Sequence, residues 1–261
     1  MDSGKTHWGE SEIRGPVHLF RERLMLRLLC PMLSNGRILD AGCGSGSLAF
    51  DLSRMGYKVN MVEYSPEFVN SISARIKLNK ENNWPQIQRA SITDLPFADS
   101  SFDGIVCGEV LEHVLLEDGG DIAAVEQFAR VLRPGGVIVS SVPLNPNLWD
   151  ISDDWALHVK RYIREDFVNL FSERGFEVSS VRVWGFPLGR LYHRYVFKPW
   201  LYRVRNQTVD QREKRRDTRL GRSRLLIRGV ANFFRFDELF SRFPWGRGLV
   251  VAARRVVKER V

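Results

Sequence analysis

Short apolar runs of strand length alternate with stretches of helical periodicity along most of the chain. Helices are predicted at 16–33, 47–55, 108–116, 120–132 and 164–174, and a further one begins at Ser65-Pro66. Strands are predicted near 37–40, 58–63, 101–107, 132–140, 176–184 and 245–253, with one more ahead of Asp94. Because strands that alternate with helices favour parallel pairing, the pattern predicts an α/β fold with a doubly wound, mostly parallel, seven-stranded sheet.

The sixth and seventh predicted strands are separated by residues 185–244. A structureless loop of that length is uncommon in a compact domain, so we predict a helical insertion before the last strand. Its helices are expected around 188–204 and 222–240, with an exposed basic loop at 210–224. The first helix has a predicted apolar face of Leu188, Leu191, Tyr192 and Tyr195 opposite Arg190, His193 and Arg194, and the second carries Phe233, Phe234, Phe236 and Phe240.

A glycine-rich segment follows the first predicted strand, where Asp40 precedes Gly42, Gly44 and Gly46. Glycines at alternate positions let the backbone turn tightly and approach a ligand closely. The spacing differs from the G-x-G-x-x-G of dinucleotide-binding loops, and the Gly-Lys-Ser/Thr of a phosphate-binding loop is missing. An acid ahead of the glycines repels phosphate and suits a ligand with an ammonium or sulfonium centre. Cys43 is a small filler in this loop or a reactive thiol.

Further elements follow in a fixed order: Glu63 ends the second strand, 23 positions after Asp40, and Asp94 lies in a loop after the third. Over residues 36–142 this order resembles the class I S-adenosylmethionine-dependent methyltransferases, of the type 11 and ubiquinone-pathway O-methyltransferase kind. The resemblance implies a Rossmann-like sheet whose last strand is antiparallel. It also implies S-adenosylmethionine as cofactor, with its methionine end at Asp40 and the glycine loop, its ribose at Glu63 and its adenine at Asp94. The predicted cofactor-binding residues are Asp40, Gly42, Cys43, Gly44, Gly46, Glu63, Tyr64, Asp94, Leu95 and Glu109.

The reactive end is predicted in the segment Glu109-x-x-Glu112-His113. On a helix these three side chains project from one face. The order resembles the ubiquinone-pathway O-methyltransferases and the small-RNA 2′-O-methyltransferases, in which these positions are associated with Mg²⁺. Because Mg²⁺ prefers oxygen ligands, a magnesium site at Glu109, Glu112 and His113 is the less favoured interpretation. The favoured one is a metal-free cleft, in which Glu112, His113 and His158 are the catalytic candidates.

His158 is predicted as a general base, with a positional hydrogen bond or a fourth metal ligand as alternatives. Arg161 and Tyr162 are candidates for the substrate cleft. His7, Trp8 and His18 could cover the cofactor, although a surface role is favoured for them.

Charge is distributed unevenly along the chain, whose net charge is +8. From Arg194 onward, 19 Lys and Arg stand against 6 Asp and Glu, so this part carries +13 and the preceding part −5. Such asymmetry indicates an anionic partner or an arginine-rich solvated surface. We predict a small-molecule acceptor and an anionic membrane surface as a further partner of residues 185–261. Nucleic acid is a less favoured partner, because no RNA-binding module is recognisable.

The three cysteines fit neither a zinc site nor a disulfide framework. No apolar run approaches the roughly 20 residues of a membrane span, and the N-terminus lacks the apolar core of a signal peptide. These features predict a cytoplasmic protein, with peripheral membrane attachment as a variant. We divide the chain into an N-terminal segment and helix (1–35), a cofactor-binding core (36–184), the basic insertion (185–244), and a last strand with a basic tail (245–261).

The predicted function is a methyltransferase that modifies an oxygen of a small apolar, lipid-like, quinone-like or secondary-metabolite acceptor. Carbon and nitrogen acceptors stay open. The alternatives are an RNA ribose 2′-O-methyltransferase and a cofactor-binding protein without catalysis. The insertion is interpreted as a lid, a membrane contact or ordinary packing.

Overall fold

A single seven-stranded sheet organises the molecule, of which the computed structural model describes residues 15–78, 84–206 and 223–257. The strands lie in the order β3-β2-β1-β4-β5-β7-β6. They are β1 Arg37–Ala41, β2 Lys58–Glu63, β3 Gln86–Arg89, β4 Phe102–Gly108, β5 Leu132–Pro143, β6 Phe176–Trp184 and β7 Gly248–Arg255. Strands β1 to β5 pair in parallel, and β7 runs antiparallel to both β5 and β6. The predicted fold class is therefore confirmed.

Helices cover both faces of the sheet, as expected for a doubly wound fold. They are α1 Pro16–Leu29, α2 Ser47–Arg54, α3 Pro66–Leu78, α4 Gly120–Val131, α5 Ile151–Ala156, α6 Arg164–Ser172, α7 Leu188–Tyr192, α8 Lys198–Val204 and α9 Arg224–Phe233. One buried cluster joins α4 and α6 to the sheet through residues such as Phe128 and Phe167. A second cluster joins α1, α2, α3 and α9 to the opposite face through residues such as Phe20 and Phe234.

The helix predicted at 108–116 is wrong. This segment contains only two short 3₁₀ turns, Leu111–His113 and Leu116–Asp118. Glu109 has a φ of 59°, and its N–H donates to the Ser141 carbonyl at 2.8 Å. The backbone at Glu109 is thereby tied to β5 in a left-handed conformation, which prevents an α-helix from starting there.

The insertion is helical, as predicted. Helix α7 continues through a π-helical turn at His193–Phe197 into α8, and α9 continues into a 3₁₀ helix at Phe234–Phe240. The buried Asp237 carboxylate accepts the N–H groups of Leu188 and Gly189 at 2.8 and 2.9 Å. This contact joins the two halves of the insertion. The predicted loop 210–224 lies outside the described residues except for Ser223 and Arg224, where α9 begins.

The predicted apolar face of the first insertion helix is wrong at two positions. Leu191 and Tyr195 are exposed, whereas the His193 side chain points inward, with its Nε2 3.0 Å from Oδ2 of Asp150. The contact with Asp150 holds His193 inward, and the π turn that starts at His193 changes the side on which Tyr195 lies relative to an α-helix.

Candidate active site

The candidate site lies at one edge of the sheet, where the parallel strands end. Asp40 is the next-to-last residue of β1, Glu63 is the last residue of β2, and Glu109 directly follows β4. Ligands of open α/β sheets bind at this carboxyl edge. The structure thus brings the main sequence-predicted residues to the expected place.

The glycine loop turns sharply between β1 and α2. Gly42, Gly44 and Gly46 have φ values of 76°, 52° and 74°, which other residues rarely adopt. A Cβ on Gly42 would lie 2.5 Å from Cγ2 of Val110, so the loop packs tightly on that side. A Cβ on Gly44 would meet no protein atom within 4 Å, which leaves room for a ligand beside it.

Asp40 is a buried carboxylate whose Oδ2 has no hydrogen-bond partner among the residues that the structure describes. Burial, and then the nearby charges of Glu22 and Glu63, raise its pKa to about 8. A buried acid without a partner costs free energy unless a cation or a donor reaches it. The site therefore suits the ammonium group of a ligand.

Glu22 was not singled out from the sequence, although it is only 4 % exposed and faces the same region from α1. Its Oε1 accepts a hydrogen bond from the Ser47 hydroxyl and lies 2.9 Å from Nε2 of His18. A signal was present, because Glu22 lies three and seven positions before the buried Met25 and Leu29, on the same side of the helix. His18 also contacts Ser47 at 3.3 Å, which places it at the glycine loop. His7 and Trp8 lie outside the described residues.

Glu63 is held in place by the backbone. Its Oε2 accepts the N–H of Gly44 at 2.9 Å, and its Oε1 accepts the N–H of Ser65 at 3.0 Å. A carboxylate has about four lone-pair sites, so acceptor capacity remains for ligand hydroxyls. The neighbouring Tyr64 side chain is 71 % exposed.

Asp94 and Leu95 follow β3 at the same edge. Asp94 is exposed and forms an isolated bridge with Ser91. Leu95 is buried, and its N–H donates to Oε1 of Gln127 at 3.2 Å. Asp94 is thus positioned to meet a ligand, whereas Leu95 contributes mainly to the wall behind it.

Glu109 belongs to the side of the site formed by α1 and β5. Its Oε1 accepts the Ser141 hydroxyl at 3.1 Å, and its Oε2 lies 3.6 Å from Nη1 of Arg21. Among the described residues, the possible metal-ligand atoms that lie within 4.8 Å of one another belong instead to Glu112, His113 and His158. The predicted grouping of Glu109 with Glu112 and His113 is therefore corrected, because the helix that would have aligned them does not form.

Glu112, His113 and His158 form a cluster in which Glu112 is buried, His158 is half-buried and His113 is exposed. Oε1 of Glu112 lies 3.8 Å from Nε2 of His158 and 4.0 Å from Nε2 of His113. Neither Glu112 oxygen has a hydrogen-bond partner among the described residues, and burial with the Glu109 charge raises its pKa well above the usual range. Burial and His158 lower the pKa of His113 to about 4. His113 is therefore neutral near pH 7, and the raised pKa of Glu112 favours its protonated form.

Both imidazoles are oriented through their Nδ1 atoms. His113 Nδ1 lies 3.3 Å from the Leu157 carbonyl, and His158 Nδ1 lies 2.8 Å from Oδ1 of Asp153. Burial opposes ionisation of Asp153, but hydrogen bonds from His158 and Arg161 hold its pKa below the usual value. An ionised Asp153 can only accept, so Nδ1 of His158 carries the proton and Nε2 has a free lone pair.

Arg161 and Tyr162 do not line the cleft as predicted. Arg161 is buried and donates to Asp153 through Nε at 2.7 Å and Nη2 at 3.0 Å. Tyr162 is also buried, and its hydroxyl donates to Oδ2 of Asp121 at 2.8 Å. Both side chains are therefore engaged inside the protein, and Arg161 fastens the residue that orients His158.

Comparisons with known proteins agree with this geometry. Residues 39–140 match the family model described as Methyltransferase domain. A ubiquinone biosynthesis O-methyltransferase of Xanthomonas oryzae pv. oryzae is 34 % identical over 133 residues, which are 50 % of this chain and 53 % of that protein. The chain thus spans about half the length of the curated relatives it matches.

Solved structures share the fold over a larger part of the chain. Phosphoethanolamine N-methyltransferase 2 of Haemonchus contortus aligns with a TM-score of 0.64 and 18 % identity, over 97 % of this chain and 56 % of that one. Geranyl diphosphate C-methyltransferase of Streptomyces coelicolor A3(2) aligns with a TM-score of 0.60 and 16 % identity, over 92 % and 78 %. At such identities the likeness shows the fold alone.

Proposed function

The chain carries a class I S-adenosylmethionine-dependent methyltransferase domain, and we propose that it methylates an oxygen of a small acceptor with an apolar body. The observation that carries the proposal is the buried carboxylate of Asp40, whose Oδ2 has no hydrogen-bond partner in the described part of the chain, beside the open space at Gly44. When bound, S-adenosylmethionine supplies an electrophilic methyl group on a sulfonium. Asp40 would hold its ammonium group, Glu63 its ribose hydroxyls and Asp94 its adenine.

His158 is the proposed general base. Its Nε2 lone pair takes the proton of the acceptor hydroxyl, and Asp153 stabilises the imidazolium that results. Methyl transfer needs little else from the protein beyond positioning and exclusion of water. Glu112 and His113 form the wall next to His158 and narrow the space in which the acceptor hydroxyl can lie.

A divalent ion at Glu112, His113 and His158 is the second candidate for activating the acceptor. One carboxylate and two imidazole nitrogens that already converge support it. Such a mixed set suits iron, zinc or manganese better than Mg²⁺, which prefers oxygen ligands and keeps its waters. Magnesium is therefore less favoured here than the metal-free base.

The ubiquinone biosynthesis O-methyltransferases that match half of the chain support a hydroxyl acceptor on an apolar body. RNA is a less favoured acceptor. Tyr192 of the insertion packs on Phe234, with ring centroids 5.4 Å apart, and is therefore not displayed for stacking with bases.

We further propose that this enzyme is cytoplasmic and meets its acceptor at an anionic membrane surface, which α9 contacts. No helix in the described part of the chain has the length and apolarity needed to cross a bilayer. One face of α9 packs on the core through Ala231 and Phe234. The opposite face of α9 and the 3₁₀ helix that follows it expose an apolar stripe, whose members are each at least 49 % exposed: Leu225, Leu226, Phe233, Phe236 and Leu239.

The charges around the stripe favour lipid over a protein partner. Arg228 and Arg235 are exposed and lie seven residues apart, on one side of the stripe. The acids of this stretch are occupied, since Asp237 is buried and Glu238 lies 2.6 Å from Arg27. An apolar face bordered by arginines is the arrangement of helices that lie in the headgroup region of anionic membranes.

Calorimetric titration with S-adenosylhomocysteine tests the cofactor site. We expect micromolar binding, about −8 kcal/mol, and its loss in Asp40→Ala and Glu63→Ala. A screen of hydroxylated aromatic acceptors and RNA, with S-adenosylhomocysteine formation as readout, then tests the reaction. Binding without product on any acceptor would favour the non-catalytic alternative, and product on RNA alone would favour the nucleic-acid alternative.

A further inference from the structure

A group of cationic side chains gathers next to the candidate site, where the insertion meets the end of the sheet. Arg247 immediately precedes β7, its N–H donates to the Trp184 carbonyl at 2.9 Å, and its carbonyl accepts the N–H of Leu144 at 2.8 Å. It therefore lies between the ends of β5 and β6, at the edge where the parallel strands terminate. Arg190 approaches from α7 and lies over the Phe186 ring, 5.7 Å from its centroid.

Arg190 and Arg247 have no hydrogen-bonded acid among the residues that the structure describes. Neither guanidinium donates a hydrogen bond within the described ranges, and Nε of Arg190 is buried without a partner. Burial, and then the charge of Arg161, lower the pKa of Arg247 to about 10. Charged groups that are taken out of water are normally paired with an opposite charge, and these two half-buried guanidinium groups are not paired within the described residues.

The acids nearby cannot satisfy them, because their oxygens are already used. Asp150 accepts from Ser152 and contacts His193 and Lys198 at 3.0 and 3.3 Å. Asp153 accepts from His158, from the Asp150 N–H and twice from Arg161. Among the residues that the structure describes, the region therefore contains four cations, Arg161, Arg190, Lys198 and Arg247, and two carboxylates, Asp150 and Asp153. Burial lowers the pKa of His193, which is neutral near pH 7 and does not add to the count.

We propose that Arg190 and Arg247 form a subsite for an oxyanion of the methyl acceptor, such as a phosphate, a diphosphate or a dicarboxylate. The excess of two positive charges matches a doubly charged group, and guanidinium forks bind such oxygens in pairs. The subsite is connected to the proposed base, because Arg161 on one side and His158 on the other share Asp153. An acceptor anchored there directs its remaining end toward His158.

This subsite rests on the proposed function and narrows it to acidic acceptors. Aromatic groups shield it, since Phe186 packs against Trp245 with ring centroids 5.3 Å apart. A half-buried pair of guanidinium groups admits a small oxyanion, whereas the exposed arginines of α9 face a surface. The anion subsite and the proposed membrane contact are therefore separate features.

The test is calorimetric titration of the full chain, saturated with S-adenosylhomocysteine, with pyrophosphate and with malonate as probes. We expect wild type to bind at least one probe, and Arg190→Gln and Arg247→Gln to weaken that binding about tenfold or more, as for loss of a charge-assisted hydrogen bond. Arg247→Lys, which keeps the charge but not the fork, should bind at intermediate strength. Arg242→Gln, a matched exposed arginine of the same stretch, should bind like wild type.

S-adenosylhomocysteine binding separates the possible failures. If wild type does not bind S-adenosylhomocysteine, the proposed function fails. If it is retained while neither probe binds, or while Arg242→Gln weakens the probes as much as Arg247→Gln, the oxyanion subsite is wrong. Preference for pyrophosphate over malonate, or the reverse, identifies the acceptor's acidic group as phosphorylated or carboxylic.

Discussion

His158 and Arg161 are fastened to the same carboxylate oxygen, Oδ1 of Asp153, at 2.8 and 2.7 Å. Arg161 also donates to the Leu144 carbonyl at 3.0 Å, directly after β5. The orientation of the His158 imidazole is therefore coupled to the sheet edge through one buried ion pair. This relationship explains how a histidine outside the regular elements can be held precisely enough for proton transfer.

His158→Gln should abolish most of the catalysis and leave cofactor binding intact. General-base catalysis contributes about 10²–10⁴-fold, so kcat should fall within that range once an acceptor is known. The measurement is single-turnover methylation beside S-adenosylhomocysteine titration. His113→Gln is the control, because His113 shares the cluster but its Nδ1 faces the Leu157 carbonyl and not a carboxylate. An equal fall in both variants would contradict the specific role of His158.

Asp153→Asn should destabilise the fold as well as impair activity. The change leaves the buried Arg161 without its charged partner, and breaking a buried pair in this way costs about 3–5 kcal/mol. Urea unfolding measures the effect. Asp154→Asn, at an exposed neighbour on the same helix, should leave stability nearly unchanged. Similar losses in the two variants would show that Asp153 is not a special anchor.

Asp40 should make the ligand-free protein less stable as pH rises. Its folded pKa is about 8 against an ordinary value of 3.8, so the folded state retains a proton that the unfolded state releases. The contribution is fully present below pH 3.8 and is lost as pH rises toward 8. Unfolding free energies at pH 5 and pH 8 should differ less in Asp40→Asn than in wild type. An unchanged difference would place the titrating acid elsewhere.

Activity should survive chelation if His158 acts as a metal-free base. Burial raises the pKa of Glu112 and favours its protonated form, which Glu112→Gln matches in shape and charge, so this variant should retain most of the activity. A metal ligand would behave differently, since Gln binds divalent ions weakly. The metal alternative would replace the base mechanism if EDTA abolished the activity, if one divalent ion restored it, and if Glu112→Gln had no activity.

The α9 surface should bind vesicles that contain anionic lipid. Sedimentation with phosphatidylglycerol vesicles, but not with phosphatidylcholine vesicles, is expected. Phe233→Ser/Phe236→Ser should weaken it through lost apolar burial, and Arg228→Gln/Arg235→Gln by about 1 kcal/mol per arginine. Leu78→Ser, at an equally exposed apolar residue of α3, is the control. Binding to neither vesicle at low salt would rule out the membrane contact.

Local pattern was sufficient for much of the fold. The apolar runs of β2 and β6 were located to the residue, and the proline at the start of α3 marked that helix correctly. The segment at 108–116 was not predictable in this way. Its helical spacing was genuine, but a hydrogen bond from Glu109 to Ser141, 32 positions away, overrides it. The inward turn of His193 likewise depends on Asp150, which is distant in sequence.

By itself, the sequence determined the order of the strands and helices, the glycine loop and the acids at the ends of β1 and β2. These features depend on side-chain periodicity and backbone freedom, which act between neighbours in the chain. Only the tertiary structure decided which further polar groups come together, such as Glu22 with Asp40, and Asp153 with His158 and Arg161. Those groupings depend on which elements pack together and on which charges are left without partners, and both are properties of the folded whole.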